Sequence, residues 1–186
     1  MNDNIEKQLT TYLLGRVIQP IDLQRYTDYQ ECKTIVLPTM KYAHILYLLY
    51  LEYASRCPDW KLPKDNPLSC LTFHNSMRGP FAYHAFYSAD EIYPNIIKGN
   101  VPKLSDLKFS ESAQKRLTKT MDVVKTEIVP LDGLNIEYAL TSYHLPLHKR
   151  FPLVATPINM NEKNVYDEVC AYIKYRHELI TPKKTK

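Results

Sequence analysis

The chain has 186 residues, 45% of them hydrophobic and 24% charged, with a formal net charge of +4 and a pI near 8.7. That length and hydrophobic content supply one core and exclude a disordered or low-complexity chain, so a single domain over 1–186 is expected. Basic and acidic residues are interleaved except in the Lys-rich tail 181–186, read as a frayed terminus, so charge does not nominate nucleic acid as a partner.

In chain order, the opening "MNDNIEKQLTTYLLGR" lacks a basic start followed by an apolar run, so no signal peptide is expected. Asp3 or Asn4 is expected to cap a first helix with Ile5, Leu9, Leu13 and Val17 on one stripe, its end left uncertain by Gly15. "MKYAHILYLLYLEYA", residues 40–54, is apolar or tyrosyl on nearly every face, which predicts a central buried helix over about 39–56, capped by Thr39 and ended by Pro58. Its Lys41 and Glu52 are expected to reach water along their stems, and its tyrosines to pack their rings and send hydroxyls to partners. Lys41, His44 and Glu52 interrupt the run well short of about 18 to 20 apolar residues, so no membrane span and a cytoplasmic location are expected.

A Pro-rich stretch, 57–71, follows, then a short strand from Leu71 and a turn at Gly79 and Pro80, after which Phe81 and Phe86 dock on the core. "SADE", Ser88 to Glu91, reads as a capping box. Ser110 caps a helix whose Ala113, Leu117, Met121, Val124 and Ile128 form an amphipathic stripe. Asn135 opens a short helix with Ile136, Ala139, Leu140 and Tyr143; "FPLVAT" from Phe151 reads as a strand, and Asn164 opens a last helix to about 180. The expected fold is mainly α, a compact bundle of about six helices around the central one, with a small β-hairpin.

Cys32, Cys57, Cys70 and Cys170 are scattered without a CxxC pair, so free thiols are expected and no structural zinc site. Four glycines, with no P-loop, GxGxxG or GxSxG, exclude the common nucleotide and hydrolase motifs. His144 and His148 have the four-residue spacing that puts two imidazoles on one helix face, but Pro146 lies between them and no acidic third ligand follows. His74, His84 and Cys70 lie near one another without an orienting third group. Asp90 with Glu91, and Asp167 with Glu168, read as charges complementing helix N-termini. No cofactor is expected.

Four stretches in order, "MKYAHILYLLYLEYA", "RGPFAYHAF", "FSESAQKRLTKTMDVV" and "IEYALTSYHLPL", resemble the Panacea-domain family, the SocA-like proteins of bacteria and their phages. The family has a Lys-Leu-x-Lys-Leu-Leu-Tyr helix, a Tyr-Gly-Pro-Val turn, a long amphipathic helix and a closing Leu-Thr-His segment before Pro-Trp. Lys41, Leu46 and Tyr47 fall on the first motif, Gly79 and Pro80 on the second, and Leu140, Thr141 and Pro146 on the last. His44 stands in place of the second lysine, Ser76 where a Trp is usual, Arg78 for the aromatic before Gly-Pro, Ser142 for the His and Leu147 for the closing Trp. The likeness covers about 36–150, with the helices before and after as additions.

The resemblance implies a mainly α domain whose relatives act largely as antitoxins, binding a toxin directly or delivering it to a protease. Such a role needs an exposed surface rich in aromatics and arginine, and Arg78, Tyr83, His148 and Arg150 are the residues expected on it. Lys41, Tyr47, Gly79, Pro80, Leu140 and Thr141 are expected to hold the fold. Two alternatives stay open: a phage or mobile-element protein that binds and inhibits a host defence factor, and a small metal-dependent hydrolase using His144 and His148.

Overall fold

The structure is a computed structural model that describes residues 3–32, 38–142 and 156–181. Among them are eight α-helices: α1 (Asp3–Val17), α2 (Pro20–Cys32), α3 (Thr39–Ser55), α4 (Tyr83–Tyr87), α5 (Ala89–Ile97), α6 (Glu111–Glu127), α7 (Gly133–Ser142) and α8 (Glu162–Ile180). Three short strands, β1 (Phe73–Asn75), β2 (Phe81–Ala82) and β3 (Thr156–Pro157), form an antiparallel sheet in the order β2-β1-β3. Phe73 pairs with Ala82 and His74 with Phe81 on one side of β1; His74 pairs with Pro157 and Asn75 with Thr156 on the other. The fold is mainly α with this small sheet, as the sequence leads one to expect. The pattern did not nominate α2, whose start is set by Pro20 at its first position.

α3 is the axis. Every residue from Tyr42 to Ala54 is buried, and the helix packs against α4, α6, α7, α8 and β2. A 17-residue helix without a polar face has nothing to show water, so its neighbours must enclose it. The enclosing faces are those the periodicities named: Leu9, Leu13 and Val17 of α1 are fully buried, as are Leu117 and Val124 of α6, with Ala113 and Met121 nearly so. Ile5, the first residue of the α1 stripe, is 40% exposed, and α1 runs on through Gly15 to Val17.

Helix starts depart from the sequence reading in an instructive way. Ser110 caps α6 as expected, its hydroxyl accepting from Ala113 N–H at 3.3 Å. Thr39, by contrast, lies inside α3, behind Pro38, which caps without a side chain. Ser88 makes no side-chain cap on α5 because its hydroxyl is held by His84 Nδ1 at 2.8 Å. α7 starts before Asn135, with Asp132 accepting from Leu134 N–H at 2.8 Å, and α8 starts before Asn164, with Asn161 accepting from Asn164 N–H at 2.9 Å. In both cases an equally good capping residue stood three positions upstream. The strand expected from Leu71 is displaced to Phe73–Asn75, and of the "FPLVAT" strand only Thr156, with Pro157 beyond it, lies within the described residues.

Candidate functional site

The side chains that α3 contributes meet buried charge at both ends. Near its start, Tyr42 donates to Asp22 of α2 at 2.6 Å, and Asp22, 2% exposed, also takes Lys41 Nζ at 3.4 Å and Arg25 Nη1 at 3.1 Å. In its middle, Tyr47 donates to Glu168 of α8 at 2.5 Å, both groups fully buried. Toward its end, Glu52 accepts from Tyr172 at 2.7 Å, Arg176 Nε at 2.8 Å and Arg56 Nε at 3.0 Å. Two expectations are corrected here. Glu52 is 3% exposed and does not reach water, and Glu168 is a buried partner of the central helix rather than a charge set against the α8 terminus. Burial followed by the nearby carboxylate raises the Tyr47 hydroxyl well above its ordinary pKa, so it stays protonated as a donor.

One cleft is lined by Lys41 of the first motif, by Arg78, which precedes the Gly-Pro of the second, and by Glu137 from the stretch that carries the last. It has a volume of about 270 Å³ and is lined by Asp22, Arg25, Pro38, Met40, Lys41, His44, Arg78, Asp132, Gly133, Leu134 and Glu137. The turn from Ser76 to Gly79, closed by Gly79 N–H to Ser76 C=O at 3.0 Å, carries Arg78 to α7, where its Nε meets Glu137 at 3.0 Å. Gly79 makes this approach possible: its φ is +101°, and a Cβ there would lie 2.9 Å from the Leu140 Cβ. Pro80 C=O then accepts from His44 Nδ1 at 2.8 Å. Because a carbonyl only accepts, Nδ1 carries the proton, and Nε2 is a buried acceptor with no partner among the described residues. Burial, opposed by the Pro80 bond, lowers His44 to about 4, so the ring is neutral at pH 7.

Three cations, Arg25, Lys41 and Arg78, face three anions, Asp22, Asp132 and Glu137, so the cleft has no net charge. Leu134, in its lining, is 72% exposed, and Met77 and Tyr138, next in the chain to Arg78 and Glu137, are 69% and 56% exposed. The Arg78 side chain is 55% exposed and its ion pair with Glu137 is of the surface kind, which contributes little and is readily exchanged for another carboxylate.

Of the residues expected to contact a partner, Arg78 is therefore at an exposed rim. Tyr83 begins α4 at the far end of β2 and is half-buried in a ring cluster, 4.6 Å from His74 and 4.8 Å from Tyr87 between centroids. Phe81 and Phe86 complete that cluster at 5.7 Å. His148 and Arg150 lie outside the described residues, as does the His144 and His148 pair of the hydrolase alternative. Of the fold-holding set, Lys41 lines the cleft, Gly79 packs on Leu140, Pro80 holds the lining residue His44, Tyr47 anchors α8, and Thr141 turns its hydroxyl back to Glu137 C=O at 2.9 Å. Cys57 and Cys70 are free thiols far apart in chemical role from any base, and burial raises both above the ordinary thiol range.

Sequence reasoning missed Asp22, Glu137 and the neutral His44. The available signal was the tyrosine count of α3: a buried hydroxyl needs a partner, and acidic residues elsewhere in the chain are the natural supply. No helix is long and apolar enough to cross a membrane among the described residues. No family model matches the chain, and no curated protein or solved structure matches it.

Proposed function

We propose that this chain is a non-enzymatic protein-binding module of the antitoxin type, a divergent relative of the Panacea-domain proteins, and that it engages a small protein partner through the surface around Arg78. The observation that carries the reading is the mouth of the cleft, where Leu134 is more than half exposed beside an exchangeable Arg78–Glu137 pair whose chain neighbours Met77 and Tyr138 are exposed as well. An exposed large apolar side chain beside an arginine on rigid elements matches the composition of a contact centre. The hairpin turn and α7 hold the group in place: Lys41 lines the cleft, and Gly79 packed on Leu140 and Pro80 bonded to His44 support it from behind. Neutralisation then follows from covering the toxin's working surface or from presenting it to a protease.

The test is an affinity pull-down of the tagged chain from its native cells at moderate and high salt, read by mass spectrometry. One small protein recovered in stoichiometric amount at both salts is expected, and recovery should fall at least about tenfold, or 1.4 kcal/mol, for Arg78→Glu and for Leu134→Asp. Those variants should keep the parent circular dichroism, since both side chains are exposed. A host defence protein in place of a toxin would move the reading to the phage inhibitor; no partner at either salt would overturn it.

A further inference from the structure

A cavity of about 740 Å³ lies apart from the Arg78 cleft, between the Pro-rich stretch after α3 and the first turns of α8. That is within the range of small-molecule sites. We propose that it binds a small ligand consisting of a flat aromatic ring that carries an anionic group, a nucleoside monophosphate or an aromatic carboxylate.

The stacking ledge comes first. Asp59 and Trp60 follow Pro58 with φ of 51° and 54°, two successive non-glycine residues in the left-handed region. Such backbone is disfavoured and persists where the surroundings impose it, which is common at ligand sites. Here it lays the indole against the ring of Tyr166, centroids 5.2 Å apart at 43°. The two rings form a lining surface on which a planar ligand gains stacking energy whatever its identity.

A buried donor lies in the wall of the same cavity. Asn66 is 3% exposed, and its Oδ1 is committed to Leu68 N–H at 3.0 Å, which fixes the amide orientation and leaves Nδ2 as the unpaired donor of that wall. That Nδ2 has no hydrogen-bond partner among the described residues, although it is inaccessible to solvent. A buried donor of this kind needs an acceptor, and a ring carbonyl, ring nitrogen or acid oxygen supplies one.

Charge selects an anion. Lys61, Lys64 and Lys163 line the cavity against Asp59 and Glu162, which leaves one net positive charge. None of the three lysines has an ion-pair partner among the described residues, so none must be released before it meets a ligand oxygen. The site needs no glycine-rich phosphate loop, because the ring is held by stacking and the anion by side-chain ammonium groups.

Trp60 is the one tryptophan of the sequence, so its emission reports this cavity alone. The purified full chain is titrated with AMP, GMP and 4-hydroxybenzoate, and with the neutral adenosine and phenol, by Trp60 quenching and by calorimetry. Saturable binding at submillimolar concentration is expected for nucleotides, for the benzoate or for both, which identifies the source, with the neutral counterparts at least about tenfold weaker. Asn66→Asp keeps the oxygen that accepts from Leu68 N–H and replaces the donor by an acceptor, so it should weaken binding at least about tenfold. Lys61→Ala with Lys163→Ala, both exposed, tests the anion preference in a chain whose fold they do not touch. No saturable binding at millimolar concentration, equal binding of charged and neutral probes, or unchanged affinity in the lysine variant would each overturn the proposal.

Discussion

His44 is an imidazole whose chemistry is strongly altered by its surroundings. It is 1% exposed, neutral, and donates to Pro80 C=O from the floor of the Arg78 cleft. Its pKa falls from the ordinary 6.5 to about 4 on folding. The unfolded chain therefore binds a proton at this imidazole as pH falls below about 6.5, and the folded chain does so only near 4. Stability from this group is fully present above pH 6.5 and drains away between 6.5 and 4, by about 3 kcal/mol at most. Urea midpoints at pH 7, 5.5 and 4.5 should fall in step, and His44→Asn, which keeps a donor near the Nδ1 position, should flatten that limb. A parent midpoint constant over the window would refute a neutral, buried His44.

At the scale of elements, the hairpin turn and α7 are locked by one missing side chain. Gly79 lies in the left-handed region, and an added Cβ would meet the Leu140 Cβ at 2.9 Å, closer than real Cβ contacts come. Gly79→Ala should cost about 2 kcal/mol or more, whereas Gly99→Ala, at φ +76° with nothing within 4 Å, should cost about 1 kcal/mol. Thermal melts of the two variants compare the pure backbone cost with the cost of the clash. Elements were legible where the apolar pattern was sustained: α6 and α8 follow from their apolar spacing and α3 from being apolar on nearly every face, because helices with those patterns have one way to hide them. α2 was illegible because its mixed polar surface packs through few apolar residues, chiefly Tyr26, which is 2% exposed and stacks on Tyr93 at 4.7 Å. Cap positions were the least legible, since rival Asp and Asn residues three apart differ only in tertiary setting, as at Asp132 and Asn135.

For the whole molecule, Glu52 is the tie between three helices. It takes Tyr172 and Arg176 of α8, and Arg176 passes a second bond to Glu127 of α6 at 2.5 Å. Burial raises the Glu52 carboxyl, but the hydrogen bonds of Tyr172, Arg56 and Arg176 outweigh it and hold the group below the ordinary range. Its contribution is therefore present above the unfolded carboxyl pKa and is lost as pH falls through the lower folded value. Glu52→Gln at pH 7 should destabilise by about 3 kcal/mol, the low end for a broken buried pair, because Arg56 and Arg176 can still reach water. Chemical denaturation should show it, and the loss should shrink toward acid pH, where the parent carboxyl is itself protonated. The candidate site was half legible: Arg78 stood out as an arginine in a Gly-Pro turn, while Glu137 and Leu134 came into play only once α7 folded over that turn.

The enclosure of α3 also sets an order of events during synthesis. Tyr47 finds its carboxylate 121 residues later in the chain, and Glu52 finds Tyr172 after 120. Long-range closures of this kind come late, because loop entropy must be lost before the contact repays it. Until α8 leaves the ribosome, α3, the most apolar helix among the described residues, has one side unroofed, so nascent chains display a sticky surface that the finished chain never shows. Chaperones and proteases that read exposed apolar helix would meet this protein mainly while it is being made.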